Sequence, residues 1–174
     1  MKGRQLSLLA PNDRNNAEID PTGAYRYDLR RQWGLDEPRI VNFLMLNPSK
    51  ADAFLGDPTL TRCINYATTW GFDGLVITNL FAYRSTDPDQ LRVVSDPVGP
   101  ENDSYIARWA EAADLVVTAW GAGGRYMNRD RLILAKLAEM GVEPHALKLT
   151  AGDYPCHPLR LAKSLLPIPY SPRF

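Results

Sequence analysis

Arg39-Ile40-Val41-Asn42-Phe43-Leu44-Met45-Leu46-Asn47-Pro48-Ser49 is the stretch on which the fold turns. Its apolar run stops abruptly at Asn-Pro, the pattern of a core strand ended by turn formers. Asp57-Pro58-Thr59 then supplies an N-cap with Pro in the first helical position, and Leu60, Ile64, Ala67 and Trp70 recur at helical spacing until Gly71. Leu75-Val76-Ile77-Thr78 reads as a second buried strand. After a loop at 81–98 with one short helix at 89–94, a helix is expected at 100–113, with Glu101 and Asp103 in its first turn. Leu115-Val116-Val117-Thr118-Ala119 is a third buried strand, Asn128 caps a helix through Met140 that ends at Gly141, and Ala146-Leu147-Lys148-Leu149 is a fourth strand. A short helix near 159–166 and an extended, Pro-rich tail close the chain.

Strands alternating with helices indicate a parallel sheet with helices on its faces. Upstream, Tyr25, Tyr27 and Leu29 alternate with Arg26 and Asp28, the period of a half-buried strand, and the 33–38 stretch is short enough for a hairpin to the strand at 39–46. The expected fold is therefore α/β: a three-layer sandwich whose central four-stranded, mainly parallel sheet is extended by an N-terminal antiparallel hairpin strand. It forms a single domain over 1–174. Residues 1–24 are an irregular lead-in rich in turn formers, 25–166 the α/β core, and 167–174 the tail.

Composition agrees with this. The chain has 174 residues, 45% hydrophobic, with 20 basic side chains against 20 acidic. A chain this long buries roughly 70% of its unfolded surface and needs no disulfide or structural metal to hold a core. Cys63 and Cys156 can form one bridge at most and fit a reducing compartment. No segment approaches the ~20 apolar residues of a membrane span, so a soluble, cytoplasmic protein with no membrane partner is expected. Zero net charge argues against a large non-specific grip on duplex nucleic acid, since that affinity scales with the phosphates neutralised.

In an open parallel sheet, ligands bind beyond the carboxyl ends of the strands. Asn47-Pro48-Ser49, Asn79, Trp120-Gly121 and His157-Pro158 all follow expected strands. Each has a plainer reading: Asn47-Pro48 as a turn, Asn79 as a strand-end cap, Gly121 to Gly124 as a flexible turn, and His157 as a surface loop residue. The glycine run lacks the spacing of a phosphate-binding loop. Asp57 is best read as the helix cap. Glu101 and Asp103 are explained by the helix dipole, although their surroundings are polar enough to line a site. Cys63 falls on a packed helix face. Arg62 and Arg84 can each meet a phosphate, but surface arginines are common.

Taken in order, Phe43-Leu44-Met45-Leu46-Asn47-Pro48-Ser49-Lys50-Ala51-Asp52, Asp57-Pro58-Thr59, Thr78-Asn79-Leu80-Phe81-Ala82-Tyr83-Arg84, Gly99-Pro100-Glu101-Asn102-Asp103, Ala119-Trp120-Gly121 and His157-Pro158-Leu159 resemble the signature of a bacterial and phage family known only as a domain of unknown function. More distantly, the same order resembles the uracil-DNA glycosylase superfamily. The Gly-Ile-Asn-Pro-Gly motif of its mismatch-specific branch is similar to Met45-Leu46-Asn47-Pro48-Ser49. A strand ending in Thr-Asn is similar to Thr78-Asn79, and a His-Pro-Ser-Pro motif is similar to His157-Pro158 in its first two residues. The resemblance implies a uracil-DNA-glycosylase-like fold. It also implies that Asn47 positions the attacking water, Asn79 reads an extruded base, and His157 lies near the leaving base. Met45, Ser49 and Leu159-Arg160 depart from the superfamily pattern. Leu159 can still act as the duplex wedge.

Cleaving an N-glycosidic bond leaves positive charge on the sugar and negative charge on the departing base, so the site needs donors toward the base and a placed water. Asn79 carries both a donor and an acceptor, and His157 can donate to a base oxygen. An amide such as Asn47 takes up no proton near neutral pH, which leaves water activation to Asp52 or another carboxylate. Phe54, Phe81 or Tyr83 can stack on a base, with Arg84 on a flanking phosphate, while the same aromatics also suit the core. The expected partner is DNA or a nucleotide, with no cofactor and no metal. A non-catalytic nucleobase-binding module and an enzyme for free nucleosides or nucleotides are the alternatives. Steep weakening with salt would separate a DNA-acting protein from the last of these.

Overall fold

The computed structural model describes residues 14–34, 36–49 and 57–172. Its strands are β1 (Ala17–Ile19), β2 (Arg26–Gln32), β3 (Ile40–Met45), β4 (Gly74–Asn79), β5 (Leu115–Thr118), β6 (Pro144–Ala146) and β7 (Ile168–Pro169). Three α-helices alternate with them: α1 (Pro58–Thr69), α2 (Asn102–Ala112) and α3 (Arg129–Glu139). The strands form one mixed sheet of order β1-β2-β4-β3-β5-β6-β7. β4, β3, β5 and β6 run parallel, and β1, β2 and β7 are antiparallel additions at the two sides.

The sheet is therefore seven-stranded, larger than the four-stranded core with one hairpin strand that the sequence suggests. The lead-in contributes β1 and the Pro-rich tail contributes β7. Both are short, and Pro169 sits on an edge strand, where a missing N–H costs no ladder bond. The expected hairpin is also corrected. β2 pairs with β4 and not with β3, in the register Leu29 to Ile77 and Gln32 to Gly74. The apolar character of β3 explains this, because all six of its residues are buried and it needs a strand on each side. Asp73 ties the connection down: its carbonyl accepts from the N–H groups of Trp33 and Gly34, and its carboxylate accepts from Arg39 N–H at 2.8 Å.

Helix α1 packs on one face, where Leu60, Cys63, Tyr66 and Ala67 meet Val41, Phe43, Met45, Leu75 and Ile77. On the other face α2 and α3 bring Ile106, Ala110, Ile133 and Leu137 against Leu44, Val116 and Ala146. β2 is buried on both sides rather than on one. Trp109 of α2 donates its indole N–H to Asp28 at 2.7 Å, and Arg30 lies 3.1 Å from the same carboxylate. Both cysteines are free thiols, and burial pushes the Cys63 thiol pKa well up. Asp57 caps α1 as expected, accepting from Thr59 N–H at 2.8 Å. Asn128 does not cap α3 with its side chain: it takes a left-handed backbone with φ of 54°. The fourth parallel strand lies a few residues earlier than the expected 146–149. The final helix shortens to a 3-10 turn at Pro158–Arg160.

The end of β4 is clamped from the α2 and α3 side. Asn102, fully buried, donates its side-chain amide to the carbonyls of Asn79 (2.9 Å) and Leu80 (3.1 Å). Arg129 donates to the Leu80 carbonyl through Nε (3.1 Å) and Nη2 (3.0 Å) and pairs with Asp103. Removing these donors strands buried acceptors. Asn102→Ala is expected to cost about 2 kcal/mol in urea unfolding, and a change below about 0.5 kcal/mol would contradict the clamp.

Candidate functional site

The strand order places a topological switch between β3 and β5. The chain leaves β3 toward α1 on one face and leaves β5 toward α3 on the other, and in open α/β sheets the carboxyl ends at such a switch are where ligands bind. Asn47 lies two residues beyond the end of β3, and Asn79 ends the neighbouring β4 in register with Met45. A return loop after β6 brings in His157. Thr150 and Cys156 N–H groups donate to Tyr154 and Lys148 carbonyls, and Gly121 N–H donates to the Pro155 carbonyl at 2.7 Å, seating this loop against the end of β5.

The polar groups here have fixed orientations. The half-buried Asn47 donates its amide to the carbonyls of Ser85 (2.9 Å) and Pro48 (3.2 Å). An amide end facing two carbonyl oxygens must be the nitrogen, so Oδ1 is left as an outward acceptor. The same bonds staple the Asn-Pro turn to the loop at Ser85, as the turn reading of Asn47-Pro48 expects. His157 accepts Leu159 N–H at Nδ1 (3.3 Å), which puts the proton of the neutral ring on Nε2. Asn79 is 1% exposed, and its Nδ2 has no hydrogen-bond partner among the described residues. By alternation with Leu75 and Ile77, Asn79 belongs to the α1 face. Asp57 holds the rim together: one oxygen caps α1, and the other accepts the Ser49 hydroxyl at 3.3 Å.

The structure thus brings Asn47, Ser49, Asn79 and His157 to the carboxyl edge, with Gly121 beside them. Gly121 has a φ of +65°, a backbone that suits glycine. Other candidates lie elsewhere. Phe81 is fully buried against Tyr126, with ring centroids 5.6 Å apart, and Trp120 is buried with Tyr170 edge-on at 6.2 Å; both belong to the core under α2 and α3. Tyr83 meets Tyr25 edge-on at 6.2 Å, and Arg84 donates to the Gly23 carbonyl at 3.0 Å, on the β2 side. Leu159 is half-buried, and its carbonyl accepts from Arg62 of α1. Asp52 and Phe54 lie outside the described residues.

Three residues with defined work here were not singled out from sequence. Asn102 and Arg129 hold the end of β4 in place. Arg26 is buried beside the rim, although its alternation with Tyr25 and Tyr27 pointed to a solvated face. Among the described residues, no cluster of three or more His, Cys, Asp or Glu side chains could hold a metal ion, and no helix is long and apolar enough to cross a membrane. A groove of about 330 Å³ runs along α1 between Arg62, Tyr66 and Lys163, and none of the strand-end residues lines it.

His157 keeps a large exposed area, yet desolvation by the surrounding chain holds its pKa below the usual imidazole value, with Asp57 partly offsetting this. The folded ring therefore binds a proton less readily than the unfolded one, and the fold loses stability as pH falls below about 6.5. Protonation of Nδ1 also ends the Leu159 cap. The ring proton resonances of His157 are expected to titrate with a midpoint below about 6.5, and lower still in Asp57→Asn. A midpoint above that value would contradict the assigned tautomer and surroundings.

A family model described as "Protein of unknown function (DUF1643)" matches residues 26–159, a span that takes in the whole strand-end rim. No curated protein and no solved structure matches the chain. With the match covering most of its length, the chain belongs to this family of unknown function.

Proposed function

We propose that the protein hydrolyses the N-glycosidic bond between a nucleobase and its sugar, with uracil or a modified pyrimidine in DNA as the simplest substrate. The observation that carries this reading is the fixed polarity of the rim. Asn47 presents an acceptor, because its amide nitrogen is committed to Ser85 and Pro48. His157 presents a donor, because its Nδ1 is committed to Leu159. Asn79 holds a buried donor that has no partner among the described residues. The order of the motifs, which resembles the uracil-DNA glycosylase superfamily, supports the same assignment.

In this mechanism the donors of Asn79 and His157 meet the base oxygens, where negative charge grows as the C–N bond lengthens. Donors oriented before the reaction stabilise that charge without having to reorganise. The bonding pair leaves with the base. Asn47 Oδ1 accepts a hydrogen bond from the water and holds its lone pair toward the sugar carbon. The new C–O bond forms there, and the proton released by the water passes to the departing base.

A non-catalytic nucleobase-binding module is the second reading, and one observation favours it. Both carboxylate oxygens of Asp57 already accept a hydrogen bond, one from the start of α1 and one from Ser49, which gives this carboxylate a structural role at the rim. This reading expects saturable binding without turnover.

Single- and double-stranded oligonucleotides carrying uracil or oxidised pyrimidines, assayed by mass spectrometry for base loss, separate the two. The hydrolytic reading expects base release that falls at least about 100-fold in Asn47→Ala while the circular dichroism spectrum is retained. Release unaffected by that substitution would overturn it.

A further inference from the structure

Arg26 is buried, and among the described residues its side chain meets no acceptor. It is 5% exposed, its Nε has no hydrogen-bond partner, and its guanidinium makes no hydrogen bond or ion pair among the described residues. Other buried arginines are provided for: Arg30 lies against Asp28, and Arg129 against Asp103 and the Leu80 carbonyl. A buried cation without a counter-group costs stability, and folds retain one where something outside the chain completes it.

A β-bulge sets where Arg26 points. Glu18 pairs with Asp28 but Ile19 pairs with Arg26, so Tyr27 is the extra residue of β2. Asp28 faces α2, where it meets Trp109, and Tyr27 stacks on Tyr105 of the same helix at 4.9 Å. In a regular strand Arg26 would share the face of Asp28. The bulge turns it to the side of Leu29, which packs under α1. Asp57, the cap of α1, is among its electrostatic neighbours. Desolvation, and then repulsion from Arg84, lower its pKa to about 10, while Asp57 and Asp28 oppose the shift. Arg26 therefore lies on the α1 side of β2, the side to which Asn79 of the neighbouring β4 belongs, with Asp57 as an electrostatic neighbour that makes no direct ion pair with it.

We propose that Arg26 binds the phosphate of the nucleotide whose base meets Asn79. A guanidinium fork matches two phosphate oxygens, and burial strengthens the pairing. This rests on the nucleobase reading and adds the phosphate to it. The phosphate can be the monoester of a free nucleotide or a diester of a polynucleotide.

Calorimetry in phosphate-free buffer of constant chloride tests it, comparing deoxyuridine with its 5′-monophosphate and with a uracil-containing oligonucleotide. Wild-type protein is expected to bind the monophosphate at least about tenfold more tightly than the nucleoside, with the preference lost in Arg26→Met and reduced in Arg26→Lys, which keeps the charge but not the fork. Inorganic phosphate should raise the melting temperature of the wild type and leave that of Arg26→Met unchanged. Because Arg26→Met removes an unpaired buried charge and keeps the stem, its own melting temperature without phosphate should equal or exceed that of the wild type. Should Arg26→Met fail to fold, Arg26→Lys carries the comparison. Tighter binding of the oligonucleotide identifies a backbone phosphate, and tighter binding of the monophosphate a free nucleotide. No preference for the phosphorylated ligand in wild type, or the same preference in both variants, would overturn the site. Base release without that preference overturns this proposal alone. Arg26-dependent phosphate binding without base release retires the hydrolytic reading and leaves the phosphate site standing.

Discussion

A strand with no solvent-facing side governs the architecture. Ile40–Met45 is buried along its whole length, so it has to be covered by helices on both faces and paired on both edges. β4 on one edge and β5 on the other meet the second requirement, and α1 against α2 and α3 meets the first. Because β4 and β5 lie on opposite sides of β3, the chain has to reverse its direction of travel there. The switch point beside Asn47 follows from that reversal. In this sense the candidate site is a consequence of one very apolar strand.

Most of the bonds that hold the rim join a side chain to a main-chain group. Asn47 is oriented by two carbonyls, His157 by one N–H, Asp57 by the start of α1, and the end of β4 by Asn102 and Arg129 acting on its carbonyls. Orientation of this kind leaves little freedom to reorganise, which suits groups that meet a developing charge. Arg26 is the exception, since it is buried and its Nε has no acceptor among the described residues.

Much of this was readable before any coordinates. The parallel strands, the three helices and the Asp57 cap follow from apolar period and capping chemistry, and the position of Asn47 and Asn79 at the carboxyl ends of β3 and β4 follows from where the apolar runs stop. What could not be read depends on distant contacts. A period of two shows that β2 has two different faces, but it cannot show that α2 covers the polar one with Trp109 or that β2 chooses β4 over β3. Nor does it reveal a bulge, which is why Arg26 read as solvated. Phe81 and Trp120 follow strands that end on the rim, yet their side chains turn to the core of the opposite face. The short edge strands β1 and β7 lie in segments whose turn formers and prolines read as irregular, and only the neighbouring strands recruit them into the sheet.

The central claim is that the edge formed by β3, β4 and the His157 loop recognises a nucleobase. Nitrogen–proton correlation spectra of ¹⁵N-labelled protein, titrated with a pyrimidine nucleotide, test it most directly because side-chain amides report by name. The account predicts that the largest saturable shifts fall on the Asn79 and Asn47 amide groups and on the backbone around Gly121 and His157. Shifts confined to the groove along α1, or none at saturating nucleotide, would contradict it.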